Sequence, residues 1–262
     1  MCTRQLSLCG SVLLIASVSF AQTPTIQSNG VVSGGGSSRM GVAPGSLISI
    51  FGTDLASGLS SANSIPLSTN LGDVTSVTIG GTAAPLVLVS AGRINAQVPF
   101  GVAAGPADVV VNRGGASSAP QSVVVSQFAP ALFSLNLGTL QAIATNADGS
   151  LVAPAGAIPG ISSHPAAAGD TVTLFATGLG PVTPAIADGM LPGDTPRLTA
   201  NPVTVLIGAQ PGTVSMAGLS SQFVGVYQLN VVVPGGVTGA AAPVQVQMSD
   251  AAISDPVTIA LQ

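Results

Sequence analysis

The sequence contains no lysine, no glutamate and no tryptophan. Its charged residues are five arginines and nine aspartates, 5% of the chain, which gives a formal net charge of −4, whereas typical domains carry about 25% charged residues. A nucleic-acid-binding protein needs a basic stripe to meet phosphates, and so few arginines do not supply one. The same deficit argues against binding to anionic lipid surfaces. We therefore expect no nucleic-acid partner.

Cysteine is also scarce, and both cysteines lie within residues 1–21. This segment has Arg4 near its start, an apolar run over residues 6–20 and the small residue Ala21 at its end, which is the pattern of a secretory signal peptide. We expect cleavage after Ala21 and export of residues 22–262 to the periplasm, the cell surface or the extracellular space, without membrane insertion. The mature chain then has no cysteine, which excludes disulfides and thiolate chemistry.

The most informative feature that is present is a repeated passage. Ala43–Leu55 reads APGSLISIFGTDL, and Ala167–Leu179 reads AAGDTVTLFATGL. A repeat at this distance predicts two related domains rather than a solenoid of short units. Three shorter passages recur in the same order: VTIG at 77–80 as VLIG at 205–208, INAQVP at 94–99 as LNVVVP at 229–234, and SAP at 118–120 as SDP at 254–256.

Apolar and polar residues alternate within these passages, as in Val77–Thr78–Ile79 and Leu229–Asn230–Val231. That alternation is typical of strands with one face on a core and the other in water. Thirty-three glycines and twenty prolines punctuate the chain and leave little room for helices. The sequence therefore predicts an all-β fold of two tandem immunoglobulin-like sandwiches, each with about six or seven strands in roughly ninety residues.

Stretches rich in glycine, proline and serine, together with the ends of the repeats, divide the mature chain into four segments. They are a flexible Gly/Ser-rich lead at 22–38, a first sandwich at 39–127, a connector with a short hairpin at 128–165, and a second sandwich at 166–262. Within the connector, residues 131–135 and 140–145 are predicted to be strands, and 146–150 a turn.

The same motifs carry a resemblance to known sequences. The passages APGS at 43–46, IFGT at 50–53 and INAQVP at 94–99 resemble the IPT/TIG type of immunoglobulin-like domain. With NADGS at 146–150, ATGLGPVTP at 176–184 and YQLNV at 227–231, nearly all of the mature chain is similar to an uncharacterised C-terminal domain family described from Solibacter and other Acidobacteria. The resemblance implies an exported bacterial protein built of two IPT/TIG-like repeats. It implies no activity and no catalytic residue.

His164 is the only histidine, so a serine–histidine–aspartate triad would have to use it. It stands in Ser162–Pro165, which we interpret as an exposed loop before the second sandwich. The nucleophile pattern Gly-x-Ser-x-Gly fails at its last glycine at 58–62, 160–164 and 218–222. We predict no catalytic residue, and a hydrolase that uses His164 is the least favoured alternative.

Two further patterns resemble functional sites only in part. Gly178–Gly180 follows a strand as a dinucleotide-binding loop does, but Pro181 forbids the helix that would hold the phosphates, so we predict a turn and no cofactor. Asp148, Asp188 and Asp194 lack the spacing of a calcium loop and are interpreted as turn residues, so no metal is predicted, although a calcium contact at these aspartates stays open.

Aromatic side chains provide little for a sugar-binding platform, because Tyr227 is the single tyrosine. Phe51 and Phe175 occupy matching positions of the repeat, which favours packing in the core or at the domain end over a binding site in one domain only. A polysaccharide-binding module would present exposed polar groups around Tyr227 or around residues 146–150. A buried Tyr227 would argue against that module.

These observations lead to a functional hypothesis. We expect an exported, non-enzymatic tandem immunoglobulin-like protein that is structural or adhesive at the cell surface or in the extracellular matrix, with a protein or polysaccharide of the cell envelope as its partner. The alternative is a binding module for polysaccharide or another envelope polymer. The step from fold to adhesion is an analogy, and the sequence assigns no binding residue and no oligomeric state.

Overall fold

The computed structural model describes residues 22–36, 41–248 and 252–262. Every regular element within these residues is a β-strand, and none of them contributes a helix long and apolar enough to cross a membrane. The prediction of an all-β fold is confirmed. The signal peptide predicted at 1–21 lies outside the described residues.

The first sandwich is built from ten strands in two sheets. One sheet has the order β1-β2-β7-β6-β3 and the other the order β10-β8-β4-β5, with β9 paired to β8. Alternate residues of these strands are buried in one apolar cluster, with Ile50, Val77 and Val109 among them. The strands are β1 (Thr25–Ser33), β2 (Leu47–Thr53), β3 (Ser60–Ser61), β4 (Val74–Ile79), β5 (Thr82–Ala83), β6 (Leu86–Val89), β7 (Arg93–Gln97), β8 (Gly105–Arg113), β9 (Ala116–Ser117) and β10 (Gln121–Val125).

Twelve strands form the second sandwich. Their main path is β11-β15-β20-β19-β18-β21-β22-β13-β12, and β19 continues from one side of the sandwich to the other because it pairs with both β18 and β20. Their apolar side chains form a second, separate cluster. The strands are β11 (Ala131–Leu132), β12 (Ser134–Asn136), β13 (Leu140–Ala142), β14 (Ala144–Thr145), β15 (Thr171–Thr177), β16 (Val182–Thr183), β17 (Leu198–Thr199), β18 (Val203–Ile207), β19 (Gln210–Leu219), β20 (Tyr227–Val232), β21 (Gly239–Met248) and β22 (Val257–Leu261).

The repeated passages occupy corresponding strands of the two sandwiches. Strand β2 pairs antiparallel with β7, which places Ile50 opposite Ile94. Strand β15 pairs antiparallel with β20, which places Leu174 opposite Leu229. All four side chains are fully buried. The longest repeated passage therefore supplies a central strand to each apolar cluster.

The segment at 22–38 differs from the flexible lead that its glycines and serines predict. Thr25–Ser33 is strand β1, which pairs antiparallel with β2 and buries Ile26. Asn29, with a φ of 55°, lies where the pairing register shifts, and a Cβ on Gly30 would lie 2.6 Å from a carbonyl oxygen of β2. The prediction is wrong for β1 because its backbone groups are satisfied by pairing with β2.

The segment at 128–165 is not a separate bridge between the sandwiches. Strands β12 and β13 pair antiparallel, with Ser134 opposite Ala142, while β11 and β14 both pair with β15. Phe128 and Leu132 are buried in the apolar cluster of the second sandwich. The segment therefore belongs to the second sandwich, because its apolar side chains complete that core.

Tyr227 lies fully buried in β20, and its hydroxyl donates a hydrogen bond to the carbonyl oxygen of Gly180. Burial raises the pKa of Tyr227, so the phenol keeps its proton. We expect Tyr227→Phe to lower the free energy of unfolding by about 1–2 kcal/mol, because the buried Gly180 carbonyl loses its hydrogen-bond partner. Urea denaturation followed by circular dichroism measures this change, and an unfolding free energy equal to that of the unsubstituted protein would contradict the role.

Candidate functional site

The two sandwiches meet at a joint that centres on Thr177, the last residue of β15. Thr177 is fully buried, and its Oγ1 accepts a hydrogen bond from the Leu47 amide at 2.8 Å and donates one to the Gly225 carbonyl at 2.9 Å. Leu47 is the first residue of β2, so the hydroxyl connects the two repeated strands end to start. Because both of its hydrogen-bonding roles are satisfied inside the protein, it fixes β2 against β15.

A second group of hydrogen bonds joins the sandwiches around Gln97, which ends β7 and is 1% exposed. Its Oε1 accepts a hydrogen bond from the Gly189 amide at 2.7 Å, and its Nε2 donates to the Gly45 carbonyl at 3.3 Å. The adjacent Asp188 accepts a hydrogen bond from the Phe100 amide at 2.8 Å. The loop of the second sandwich that contains Asp188 and Gly189 is thus bonded to Gln97 and Phe100 of the first.

Two glycines of the second sandwich allow this close approach. Gly225 has a φ of 73°, and a Cβ there would lie 2.9 Å from the side chain of Leu47. Gly189 also has a φ of 73°, and its Cβ would lie 2.9 Å from the Leu67 carbonyl oxygen. Both positions combine a left-handed backbone with no space for a side chain. The joint therefore depends on glycine at both places.

An apolar cleft of about 530 Å³ opens at this joint, and we call it the interdomain cleft. The first sandwich contributes one wall and the second sandwich the other. Its volume falls within the range of roughly 300–1,000 Å³ that is usual for small-molecule sites. The lining side chains are Leu47, Ala62, Ile65, Leu67 and Val87 from the first sandwich, and Phe133, Ile143, Phe175, Gln222, Phe223, Val224 and Val226 from the second.

Three of the seven phenylalanines of the chain line the cleft. Phe175 faces outward from β15, because Leu174 and Ala176 on either side of it take the buried positions. Phe223 is 57% exposed and lies in a short loop that precedes β20. Among the described residues, those that line the cleft include no charged side chain, and Gln222 is the single polar one. The cleft is therefore suited to desolvating hydrocarbon groups.

A second candidate site is a polar cluster around Asp148. One carboxylate oxygen of Asp148 accepts hydrogen bonds from the hydroxyl and the amide of Ser150 at 2.6 and 2.9 Å. The other lies 3.3 Å from Nε2 of His164, whose Nδ1 is 2.9 Å from the Pro165 carbonyl oxygen. A shallow pocket of about 270 Å³ opens beside these groups and is also lined by Asp170.

This cluster contains serine, histidine and aspartate but not in a catalytic order. In a triad the histidine bonds the serine, whereas the Ser150 hydroxyl donates to Asp148 and is buried. The hydrogen bonds from Ser150, and then the contact with His164, lower the pKa of Asp148 to about 2. The Pro165 carbonyl, and then Asp148, raise the pKa of His164. Both contacts favour the protonated form of the imidazole.

The remaining candidates from the sequence have structural roles. Gly178 and Gly180, with φ values of 77° and 80°, form the turn that follows β15. Asp188 is bonded at the joint and Asp194 is exposed. Within the part of the chain that the structure describes, no three histidine, cysteine or acidic side chains lie close enough to hold a metal ion. The burial of Tyr227 argues against a sugar platform on its ring.

No pattern in the sequence indicates a functional role for Gln97, Thr177 or Phe223. Gln97 and Thr177 are ordinary polar residues at strand ends, and their partners Gly189 and Leu47 lie 92 and 130 residues away in the chain. One usable signal was the matching position of Phe51 and Phe175. Neither belongs to a core: Phe51 is 38% exposed and Phe175 lines the cleft.

Comparison with known protein families supports the assignment of the first sandwich. Residues 37–126 match the IPT/TIG domain family. The matched range reaches from just before β2 to the end of β10, so the immunoglobulin-like fold holds for this part of the chain. A search of curated proteins finds no match.

Several solved structures show a weak similarity to this chain. The surface protein SGBP-B of the Bacteroides ovatus mixed-linkage glucan utilization locus, in complex with a heptasaccharide, is 14% identical over 88% of this chain and 46% of its own, with a TM-score of 0.38. The surface glycan-binding protein PbSGBP-B from Prevotella bryantii is 11% identical over 90% and 41%, with a TM-score of 0.29. Domains 5–6 of the S-layer protein SbsC are 13% identical over 92% and 100%, with a TM-score of 0.29. The chain spans less than half the length of both Bacteroides and Prevotella proteins, and at these values no function is transferred from any of the three.

The joint predicts an effect of Thr177 on the coupling of the two sandwiches. We expect Thr177→Val to lower the free energy of unfolding by about 2 kcal/mol, because the partly buried Leu47 amide loses its acceptor and the Gly225 carbonyl loses its donor. We also expect one cooperative urea transition to separate into two, since each sandwich has its own core. The matched control is Thr173→Val on the same strand, whose hydroxyl bonds Asn230 within the second sandwich at 3.2 Å. Equal effects of both substitutions would contradict a special role for Thr177.

The polar cluster predicts a pH dependence that NMR can follow, because the chain has a single histidine. The pKa of His164 is raised above its ordinary value of 6.5, so its contribution to stability is present below pH 6.5 and is lost as the pH rises through the folded-state pKa. We expect the His164 ring proton to titrate above pH 6.5, and Asp148→Asn to lower that midpoint. Asp194→Asn, outside the cluster, serves as control; a midpoint at or below 6.5 would contradict the prediction.

Proposed function

We propose that this chain is an exported, non-enzymatic protein of two IPT/TIG-like domains that is structural or adhesive at the cell surface or in the extracellular matrix. Residues 1–21 direct export and are removed, in this proposal, and residues 22–262 act without entering the membrane. The two domains correspond to residues 39–127 and 166–262, with residues 128–165 packed on the second. The resemblance to the Solibacter and Acidobacteria domain family supports this organisation.

The observation that carries the proposal is the joint between the sandwiches. Domains of one chain move relative to one another by default, and an extensive interface is needed to suppress that motion. Here the buried Thr177 and Gln97 side chains and the Asp188 carboxylate all bond across the interface. Gly189 and Gly225 allow the backbones to touch. Two sandwiches held in this way form a stiff unit, which suits a spacer or an adhesive element that must hold a binding surface in place.

The composition indicates how such a surface would hold its partner. Since charged residues make up only 5% of the chain, contacts would be made by hydrogen bonds and apolar side chains such as the exposed Leu59 and Val124. Interactions of this kind are screened little by salt. Retention on a partner surface should therefore change little between low and high ionic strength.

A second candidate is a module for polysaccharide or another envelope polymer, and the polar cluster favours it. Asp148 and His164 expose about half or more of their side chains, 62% and 49%, and they flank the shallow pocket. A carboxylate and an imidazolium accept and donate hydrogen bonds to sugar hydroxyls. The buried Tyr227 provides no stacking surface for a sugar ring, which keeps this candidate second.

One retention experiment separates the two candidates. The chain from residue 22 onward is incubated with insoluble polysaccharides, with peptidoglycan and with cells of the organism that encodes it, at low and high salt. Thr177→Val tests the joint, with Thr173→Val as its control. Asp148→Ala with His164→Ala tests the polar cluster.

The structural or adhesive function predicts retention on cells, or self-association, that is insensitive to salt and weakened by Thr177→Val alone. The polymer-binding function predicts saturable retention on one polymer, competed by its soluble oligomers and abolished by the double substitution at the cluster. No retention on cells, no self-association and no retention on any polymer would overturn both.

A further inference from the structure

We propose that the interdomain cleft is a binding site for a neutral small molecule with a hydrocarbon body and at most one hydrogen-bonding group. The site does not depend on the adhesive function proposed above. It follows from four properties of the cleft: its volume, the chemistry of its walls, its charge and the state of its backbone groups.

The walls favour hydrocarbon over sugar. Phe133, Phe175 and Phe223 offer aromatic surface, and Ile65 faces them from the first sandwich with 45% of its surface exposed. Burying such side chains against a ligand is favourable by about 25 cal/mol for each Å² of apolar surface removed from water. A sugar needs several convergent hydrogen-bonding groups, and the described lining provides one polar side chain, Gln222.

Charge complementarity selects a neutral ligand. None of the described residues that line the cleft is charged. An ionised head group that entered the cleft would lose water without gaining a counter-charge, which is costly. A fatty acid anion or a phosphorylated lipid is therefore disfavoured, while an alcohol, amide or ester of the same hydrocarbon length fits. Gln222 supplies the one donor and acceptor for that group.

The backbone of the cleft argues against a peptide that would add as a strand. Strand addition requires a row of free backbone amides along an edge. The amides of seven lining residues already donate hydrogen bonds within the protein, at 2.8–3.4 Å. These residues are Leu47, Ala62, Leu67, Phe133, Ile143, Gln222 and Val226. A small molecule that binds through its hydrocarbon surface needs none of them.

The test uses the chain from residue 22 onward and the neutral solvatochromic dye Nile red. We expect saturable binding of one dye per chain with blue-shifted emission. We also expect 1-dodecanol to displace the dye at lower concentration than dodecanoate does, because the two chains have the same number of carbons and only dodecanoate is charged. The absence of saturable binding, or displacement by dodecanoate at least as effective as that by dodecanol, would overturn the proposal.

Variants locate the site. Phe223→Asp should weaken dye binding by at least about tenfold, because it removes an apolar contact and introduces a charge into the cleft. Ile65→Asp should do the same from the opposite wall. Phe51→Asp is the matched control, since Phe51 is also surface-exposed, at 38%, but lies outside the cleft. Circular dichroism confirms that each variant is folded. Equal dye binding by Phe223→Asp and Phe51→Asp would place the dye elsewhere and refute the assignment.

Discussion

The arrangement of the two sandwiches depends on the two hydrogen bonds of the Thr177 hydroxyl. The hydroxyl is buried, so separating it from the Leu47 amide and the Gly225 carbonyl would leave polar groups without partners, at a cost of about 1–3 kcal/mol for each. Leu47 is itself part of the interdomain cleft, and Gly225 lies in the loop that carries Phe223. A single threonine at the end of a strand therefore positions Leu47 in one wall of the cleft and the loop that carries Phe223 in the other.

Because the chain has few charged residues, hydrogen bonds and apolar burial, rather than ion pairs, stabilise the contact between the two sandwiches. One ionic contact lies within the first sandwich: Arg113 Nε is 2.7 Å from Asp73, and Arg113 Nη1 donates a hydrogen bond to the Asp54 carbonyl. Partly exposed pairs of this kind contribute little. Between the sandwiches, the acid Asp188 meets a backbone amide rather than a basic side chain. The joint therefore owes its specificity to shape and hydrogen-bond geometry, which salt does not screen.

Much of the fold could be predicted from the sequence because its signals are local. Alternation at period two identified the core strands, and Ile50 and Leu174 are buried as that alternation requires. Strand β1 was not predicted, since Asn29 and Gly30 interrupt the alternation and the strand exists only through its pairing with β2. The candidate site was not predicted either, because no local pattern shows that Gln97 bonds a residue 92 positions further along the chain.

Phe51 and Phe175 show where new chemistry can arise when similar domains are joined. They stand at the same point of the repeated passage, and both face away from their cores. Phe51 meets solvent, whereas Phe175 meets the space beside Leu47 and becomes a wall of the cleft. The difference lies in what stands opposite each ring and not in the strand that carries it. A site of this kind is formed by both sandwiches, so neither sandwich alone contains it. A substitution that removes the Thr177 hydrogen bonds would therefore alter the cleft, although Thr177 does not line it.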